Sequence, residues 1–314
     1  MYAVQLLMSS QREPGSVRHV EVGEDRDGQR LDNFLIGQLD GVPRSLVYRL
    51  VRTGQVRVNG GRARPMQKLR CGDSVRIPPV ACKPPSSGAP PEKLVNEIRR
   101  RVISATAEYC IVDKPAGLAM HAGSGLSYGL VDVMTRLDSA WRPVHRLDRA
   151  TSGLVVFAAT RTALATLQRC FAEREVSKRY LALLSGQLAQ DRITVDAPLA
   201  KIRDASGQHR VVVDEAGQPA RTHFRVLERL AGHVYVEAEI ETGRTHQIRA
   251  HARHINHPVA GDERYNPEAC PDGLRRLFLH SHCLHLPWPE EQVFSSPLPP
   301  ELGAVLDQLR RTGP

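Results

Sequence analysis

Two observations predict that the chain is an α+β protein made of a small module and a large domain. Strand patterns and helix patterns are mixed in the C-terminal part, without the regular alternation of a doubly wound fold. A stretch rich in proline and serine, KPPSSGAPPEK at 83–93, has the composition of a solvated spacer. We therefore expect an N-terminal extension at 1–27, a small module at 28–80, a linker at 81–95 and a large domain at 96–314.

The small module is predicted to contain two helices followed by two strands. These elements lie in RLDNFLIGQL (30–39), RSLVYRLVRTG (44–54), QVRVNG (55–60) and SVRIPP (74–79). Apolar residues recur at helical spacing in the first two segments, and Pro43 is of the type favoured in a first helical turn. Asn59 and Gly60 are typical of a tight turn after a strand.

The second predicted helix carries a basic stripe. Arg44, Tyr48 and Arg52 follow one another at i, i+4 and i+8, away from the apolar face. Together with Arg49 and Arg57 they form the surface that we expect to bind RNA phosphates. Basic stripes also occur where a helix face simply meets water, and these residues alone leave both interpretations open.

The large domain is predicted to mix buried strands with amphipathic helices. Strands are expected in GLVVFA (153–158), RYLALLSG (179–186) and GHVYVEAEIETG (232–243), and helices in TALATLQRCFAER (162–174) and THQIRAHARHIN (245–256). The strand segments are continuous apolar runs or alternate strictly, whereas the helix segments repeat their apolar residues every three or four positions.

The composition excludes several classes of protein. With 43 Lys and Arg against 34 Asp and Glu, the chain has a formal net charge of +9, which favours a polyanionic partner. There is no run of about 18 apolar residues, so we expect no membrane span and no membrane partner. The six cysteines include no CxxC pair, and the N-terminus lacks the pattern of a secretion signal. These features predict a cytoplasmic protein with reduced thiols.

The segment VHRLDRATSGLVVFA (144–158) is the first candidate for chemistry. Its Asp148 lies between Arg146 and Arg149, in a polar loop that leads into a predicted buried strand. A carboxylate beside cations is expected to stay ionised, and it can then act as a nucleophile or an electrostatic stabiliser. The alternative is a loop aspartate that only forms a structural salt bridge.

The segment ETGRTHQIRAH (241–251) is the second candidate. It brings Arg244, His246 and Arg249 to a strand-to-helix junction, where backbone N–H groups and cations converge on anions. A zinc site is the alternative, with ligands from His246, His251, His254, His257 and HSHCLH at 280–285. That spacing matches no zinc finger or zinc protease, and the nearby arginines would repel a cation, so we expect no metal.

HRLDRATSG (145–153) resembles the signature of the pseudouridine synthases that modify ribosomal and transfer RNA, in the branch that contains the large-subunit enzymes. Five further segments resemble that family's other motifs in the same order: CIVDKPAGLAMHAGSGLS (110–127), SKRYLALLSG (177–186), GRTHQIRAH (243–251), HPVAGDERY (257–265) and RLFLHSHCL (276–284). The stretch from RLDNFL to VNGG (30–61) resembles the S4 RNA-binding module. Within the branch, GVPRSLVYRLVRTGQVRVN, VRIPPV and HAGSGLS are most similar to one subgroup of large-subunit enzymes.

The resemblance implies a pseudouridine synthase catalytic fold, which is a mixed, mainly antiparallel central sheet with flanking helices, and an S4-like α/β module. It implies isomerisation of uridines in 23S (large-subunit) ribosomal RNA to pseudouridine, with no cofactor. The expected partner is ribosomal RNA, free or in pre-ribosomal particles. The sequence does not determine the oligomeric state, and a monomer is the working expectation.

The resemblance also implies a role for individual residues. Asp148 matches the family's catalytic aspartate, Arg249 its salt-bridge partner, and Tyr180 the aromatic residue that stacks on the uracil. Arg146 matches the residue that fills the vacated place in the base stack, and Leu279 the apolar lining of the uracil pocket. Further substrate contacts are expected from neighbouring motif residues, namely His145, Thr151, Gly153, Arg244 and His246.

Three other functions are weighed against this one. The same chemistry could act on other ribosomal or transfer RNA uridines. A non-catalytic RNA-binding ribosome assembly factor would need only the basic surfaces, and the intact Asp148, Tyr180 and Arg249 argue against it. A glycoside hydrolase would need a second, suitably spaced carboxylate, and the motifs present none.

Overall fold

The computed structural model describes residues 16–39, 42, 44–80, 89–122, 126–203, 209–266 and 270–312. The chain forms two compact units, Met1–Ser87 and Gly88–Pro314. In the part of the chain that is described, no helix is both long enough and apolar enough to cross a membrane.

The small unit combines helices with an antiparallel sheet. Its elements are β1 (Arg18–Glu21), α1 (Leu31–Gln38), α2 (Arg44–Arg52), β2 (Arg57–Val58), β3 (Gly61–Arg62) and β4 (Ser74–Ile77). The sheet order is β1-β4-β2-β3, so the predicted helices and the strands at β2 and β4 are confirmed. β1 pairs with β4, with Arg18 opposite Ile77. The expectation of a mere extension at 1–27 is therefore corrected, because that segment supplies an edge strand.

The core of the small unit follows the predicted apolar faces. Phe34 and Leu35 of α1 and Val47 of α2 are buried in one cluster. Asn59 and Gly60 have φ values of 49° and 76°, the left-handed conformations that a type I′ hairpin turn requires.

The large unit contains the remaining elements. Its helices are α3 (Glu92–Arg100), α4 (Leu130–Leu137), α5 (Arg161–Ala172), α6 (Gln247–His254) and α7 (Pro300–Arg311). Its strands are β5 (Val102–Ala105), β6 (Tyr109–Lys114), β7 (Arg142–Pro143), β8 (Ser152–Ala158), β9 (Ser177–Ser185), β10 (Arg192–Asp196), β11 (Leu199–Arg203), β12 (His209–Val213), β13 (Arg221–Leu230), β14 (His233–Ile240), β15 (Leu279–Leu286) and β16 (Gln292–Ser295). Because α3 buries Val95 and Ile98 in the main core, residues 92–95 belong to this unit and not to a linker.

One large sheet organises this unit. Its order is β10-β13-β14-β9-β15-β8-β6-β5, with β7 beside β8 and β16 beside β15, while β11 and β12 form a separate hairpin. β8 and β15 run parallel, and the other strand pairs described in this sheet run antiparallel. All of β8 is buried, because Val155 and Phe157 enter one apolar cluster and Leu154 and Val156 another. The predicted α+β fold with a mainly antiparallel sheet is confirmed.

Gly153 marks the close approach of β8 to β15. Its φ is +110°, and a Cβ atom at this position would overlap the backbone of Ser281. A side chain here is excluded by sterics, since L residues rarely adopt this φ and the neighbouring atoms are backbone.

We expect Gly153→Ala to destabilise the large unit by about 3 kcal/mol or more, from overpacking and backbone strain together. Gly303→Ala in α7 is the matched control, because open space surrounds Gly303 and its φ is ordinary. That control should be neutral or stabilising by about 0.5–1 kcal/mol. Urea unfolding monitored by circular dichroism measures both, and equal stability of the two variants would contradict the close approach.

Candidate active site

A cavity of about 430 Å³ opens beside the start of β8. Residues from four places in the sequence line it, and they include eight of the predicted site residues: Arg146, Asp148, Thr151, Tyr180, Arg244, His246, Arg249 and Leu279. Segments that are far apart in the sequence therefore meet at one surface.

The strand order explains why these residues meet. β15 lies between β8 and β9, with Ser281 opposite Tyr180 and next to Gly153 of β8. Leu279 is two residues from Ser281, so it lies on the same face of β15. The loop that carries Asp148 leads directly into β8, and α6 with Arg249 follows β14, the neighbour of β9 on its other side.

Asp148 faces two groups from the start of α6. Its Oδ2 atom lies 3.3 Å from Arg249 Nη1 and 3.7 Å from His246 Nε2. The flanking Arg146 and Arg149 are exposed, and Arg149 Nε donates to the carbonyl oxygen of Gly117 at 3.0 Å. The cation that pairs with Asp148 thus comes from a different segment and not from its sequence neighbours.

Asp262 binds the guanidinium of Arg249 through atoms that do not contact Asp148. The sequence alone did not single out this residue. Arg249 Nε and Nη2 donate to the two carboxylate oxygens of Asp262 at 2.6 and 2.8 Å, in a bidentate pair. Burial lowers the pKa of Arg249, but the bonds to Asp262 and the charge of Asp148 outweigh it, and the net pKa is raised. Asp262 stands in the motif HPVAGDERY, so the motif was the available signal.

His246 begins α6 in a left-handed conformation, with φ 53°. Its Nδ1 lies 3.0 Å from the hydroxyl oxygen of Tyr265. Burial lowers the pKa of His246 to about 4, although the charge of Asp148 opposes the shift. The ring is therefore neutral at pH 7.

Tyr180 and Leu279 supply the apolar wall of the cavity, and both are buried. Burial, reinforced by the charge of Asp148, raises the pKa of Tyr180 well above its usual value, against a hydrogen bond with Ser281 that lowers it. Tyr180 is therefore a neutral phenol at any physiological pH.

Lys114 is a second residue that sequence reasoning missed, although it lies in the motif beginning at Cys110. Its side chain is fully buried, and Nζ donates to the carbonyl oxygens of Leu118 at 2.9 Å and Arg149 at 3.3 Å. Burial lowers its pKa to about 7, although the charge of Asp148 opposes the shift. Through these hydrogen bonds Lys114 connects the backbone of Arg149, next to Asp148, with the segment that follows β6.

Two predicted substrate contacts do not line the cavity. Gly153 has the steric role described above. His145 stacks on Phe171, with ring centroids 4.6 Å apart, and its Nε2 accepts the N–H of Val156 at 3.1 Å. Burial lowers the pKa of His145 to about 3. The prediction for His145 is corrected, because its ring packs into the fold instead of facing the cavity.

The predicted RNA-binding residues of the small unit are exposed where their side chains are described, which is the case for Tyr48, Arg49, Arg52 and Arg57. The side chain of Arg44 lies outside the described part. The hydroxyl of Tyr48 donates to the buried Asp32 at 2.7 Å, which fixes the ring at the surface.

A wider and more basic cavity, of about 1240 Å³, shares Asp148 and Arg146 with the first. The cations Arg149, Arg264 and Arg275 also line it. Cations around a concave surface raise the local concentration of anions such as phosphate groups.

Two histidines of the zinc alternative, His251 and His257, have other partners. His251 is buried, and its ring nitrogens lie 2.9 Å from the hydroxyl of Thr222 and 2.9 Å from the carbonyl oxygen of Ala197. Among the residues that the structure describes, no three His, Cys, Asp or Glu side chains are grouped so that they could hold a metal ion.

Comparison with known proteins identifies similar chains. The family model described as RNA pseudouridylate synthase matches residues 108–254, and the S4 domain model matches residues 29–75. A Haemophilus ducreyi protein named ribosomal large subunit pseudouridine synthase C is 41% identical over 308 residues, covering 94% of this chain and 96% of that protein. The Escherichia coli protein of the same name is 40% identical, covering 95% and 98%. The subgroup resemblance found in the sequence is thereby confirmed.

A solved structure shares the fold of about two thirds of the chain. Human RNA Pseudouridylate Synthase Domain Containing 4 is 26% identical, with a TM-score of 0.59, and covers 69% of this chain and 96% of that one.

We expect acid to destabilise the protein through His145. Its pKa is about 3 when folded, against an ordinary value of 6.5, so its contribution is complete above pH 6.5 and is lost as the pH falls towards 3. His145→Gln, which can still accept from Val156, should flatten the dependence of unfolding free energy on pH by up to about 1.4 kcal/mol per pH unit. Urea unfolding between pH 7 and 4 measures this.

The exposed His254 provides the control for that measurement. His254→Gln removes an exposed imidazole and so controls for the loss of a histidine as such. If both variants have the wild-type slope, the interpretation of His145 as a buried neutral ring is wrong.

Proposed function

The chain belongs to the RNA pseudouridylate synthase family, and from that premise we propose that it isomerises uridines of 23S (large-subunit) ribosomal RNA to pseudouridine, with Asp148 as the catalytic carboxylate. One observation carries the proposal. Asp148 lies at a cavity with an apolar wall, opposite a buried arginine that aims its carboxylate. The substrate class follows from relatives that share nearly the whole chain and are named for the ribosomal large subunit.

The reaction rearranges a single nucleotide. The bond from ribose C1′ to uracil N1 breaks, the base rotates, a bond forms from C1′ to C5, and the C5 proton leaves while N1 gains one. Substrate and product have the same atoms and oxidation state, so the reaction consumes no oxidant, reductant or other co-substrate.

Asp148 is the group that starts this rearrangement. Three routes use a carboxylate at this point: attack on ribose C1′, attack on the base, or assistance to a glycal intermediate. Each requires a carboxylate in a defined orientation, and Arg249 Nη1, which donates to Oδ2 at 3.3 Å, supports that orientation.

The neighbouring side chains would hold the target base. The ring of Tyr180 suits stacking on a flipped uracil, because every base has a π face, and its neutral phenol can take part in proton transfer at C5. Leu279 completes the apolar contact. Arg146 is exposed at the entrance, where its planar guanidinium can replace the extruded base in the stack. Extrusion itself costs a few kcal/mol.

Other parts of the chain would hold the RNA backbone. The arginines of the wider cavity suit phosphate groups that flank the target uridine. The exposed cations of α2 independently suit phosphate groups of the RNA. We propose that the protein works as a monomer in the cytoplasm, on ribosomal RNA or pre-ribosomal particles.

Asp148→Asn should abolish pseudouridine formation, by at least about 1000-fold, while RNA affinity changes less than about threefold. The measurement is nucleotide-resolution pseudouridine mapping of ribosomal and transfer RNA from cells that lack the protein, complemented with each variant. Asp191→Asn is the control, since Asp191 has 81% of its side chain exposed. If Asp148→Asn restores the modification, the assignment of Asp148 as the catalytic carboxylate is wrong. If the sites that depend on the protein lie only in transfer RNA, the proposal that ribosomal RNA is its substrate is wrong.

The double variant Arg49→Gln/Arg52→Gln should weaken binding to ribosomal RNA fragments and reduce the salt dependence of binding, by about 1–2 in the slope of log K against log salt. The control is Arg229→Gln/Arg310→Gln, which removes the same charge from arginines already paired with Asp191 and Glu228. Equal effects of the two double variants would contradict a phosphate-binding role for α2.

A further inference from the structure

Tyr265 lies behind the cavity and is buried. Its hydroxyl oxygen accepts the backbone N–H of Val211, on β12, at 3.0 Å, and lies 3.0 Å from His246 Nδ1. The guanidinium carbon atoms of Arg210 and Arg249 each lie 5.1 Å from the centre of its ring. One hydroxyl thus connects the β11–β12 hairpin with the start of α6.

The hydrogen bonds at this oxygen determine the protons of His246. The N–H of Val211 can only donate, so the Tyr265 oxygen accepts it and keeps its own proton for another acceptor. His246 Nδ1 is at the right distance to be that acceptor. A neutral imidazole that accepts at Nδ1 carries its proton on Nε2.

His246 Nε2 is the ring atom nearest to the catalytic carboxylate. It lies 3.7 Å from Asp148 Oδ2. This distance is longer than a hydrogen bond, as is common between catalytic groups of free enzymes. The other tautomer would direct a nitrogen lone pair at the carboxylate, which is electrostatically unfavourable. Arg249 approaches the same oxygen, so both donors converge on Oδ2 and leave Oδ1 for the substrate.

We propose that Tyr265 is a positioning residue that fixes the Nε2–H tautomer of His246, so that His246 and Arg249 together hold Oδ2 of Asp148 in its reactive orientation. This inference rests on the proposed function. It goes beyond it because it assigns a role to Tyr265 and His246 and makes the orientation of Asp148 depend on the docked β11–β12 hairpin, through Val211.

The charged and titratable groups that face His246 come from several elements, and they influence the pKa of its ring. They are Asp148 before β8, Arg249 on α6, and Asp262, Arg264 and Tyr265 after α6. Removing the Tyr265 hydroxyl leaves Nδ1 open to protonation. The titration of His246, followed by nitrogen-15 NMR, should then move to higher pH in Tyr265→Phe.

The first test is direct observation of the tautomer. Nitrogen-15 NMR of histidine-labelled full-length protein distinguishes Nδ1–H from Nε2–H, and His246→Gln assigns the signal. The wild type should show Nε2–H at pH 7, and Tyr265→Phe should show a mixture. A wild-type Nδ1–H tautomer overturns the proposal without any variant having to fold.

The second test is kinetic. Tyr265→Phe keeps the ring between the two arginines and should lower single-turnover pseudouridine formation at least tenfold, with RNA affinity within twofold. Tyr109→Phe is the matched control, because Tyr109 is buried, its hydroxyl donates one hydrogen bond to Gln292 at 2.9 Å, and it lies in a different apolar cluster from the cavity wall. An effect on affinity alone, or an equal loss of rate in both variants, overturns the proposal.

A double-variant cycle separates positioning from general weakening of the fold. In a His246→Gln background no tautomer exists to be fixed, so adding Tyr265→Phe should reduce the rate less than twofold. Additive losses overturn the proposal. If the wild type forms no pseudouridine while its NMR spectrum shows the expected tautomer, the proposed function fails and the assignment of Tyr265 stands.

Discussion

The chain of charges from Asp262 through Arg249 to Asp148 is the interaction on which the rest of the site depends. A buried guanidinium without a partner costs several kcal/mol, and Asp262 removes that cost by binding two of its N–H groups. Only Nη1 is left to face Asp148. Asp262 already balances the positive charge of Arg249. Arg249 therefore acts on Asp148 mainly by orienting its carboxylate, which remains available at the cavity.

The sheet supplies the geometry around that chain of charges. The parallel neighbours β8 and β15 place the Asp148 loop beside the strand that carries Leu279, and β9 with Tyr180 follows on the other side. The absence of a side chain at Gly153 allows the two strands to approach. The same strand order brings α6 to the opposite wall, so the charged and apolar sides of the cavity both derive from the order of strands.

His145 and His246, from two different motifs, show that a place in a motif does not by itself determine where a side chain lies. His145 and His246 each lie three positions before a proposed catalytic residue, Asp148 and Arg249 respectively. His145 turns into the fold and stacks on Phe171, whereas His246, in a left-handed conformation at the start of α6, turns towards Asp148. Desolvation lowers the pKa of both rings, yet only His246 lines the cavity beside Asp148.

The sequence by itself determined the two-part organisation, the helices and strands with clear periodicity, and the candidates Asp148 and Arg249, because these depend on residue type and spacing within short segments. Tyr180 became a candidate only through the resemblance of SKRYLALLSG to a family motif. Only the tertiary structure decided that β1 completes the small sheet and that Asp262 and Tyr265 support the site from behind. It also decided that the arginines next to Asp148 are not its partners. The physical reason is that strand pairing and side-chain direction are set by contacts between segments far apart in the chain, and those contacts leave no local periodicity to detect.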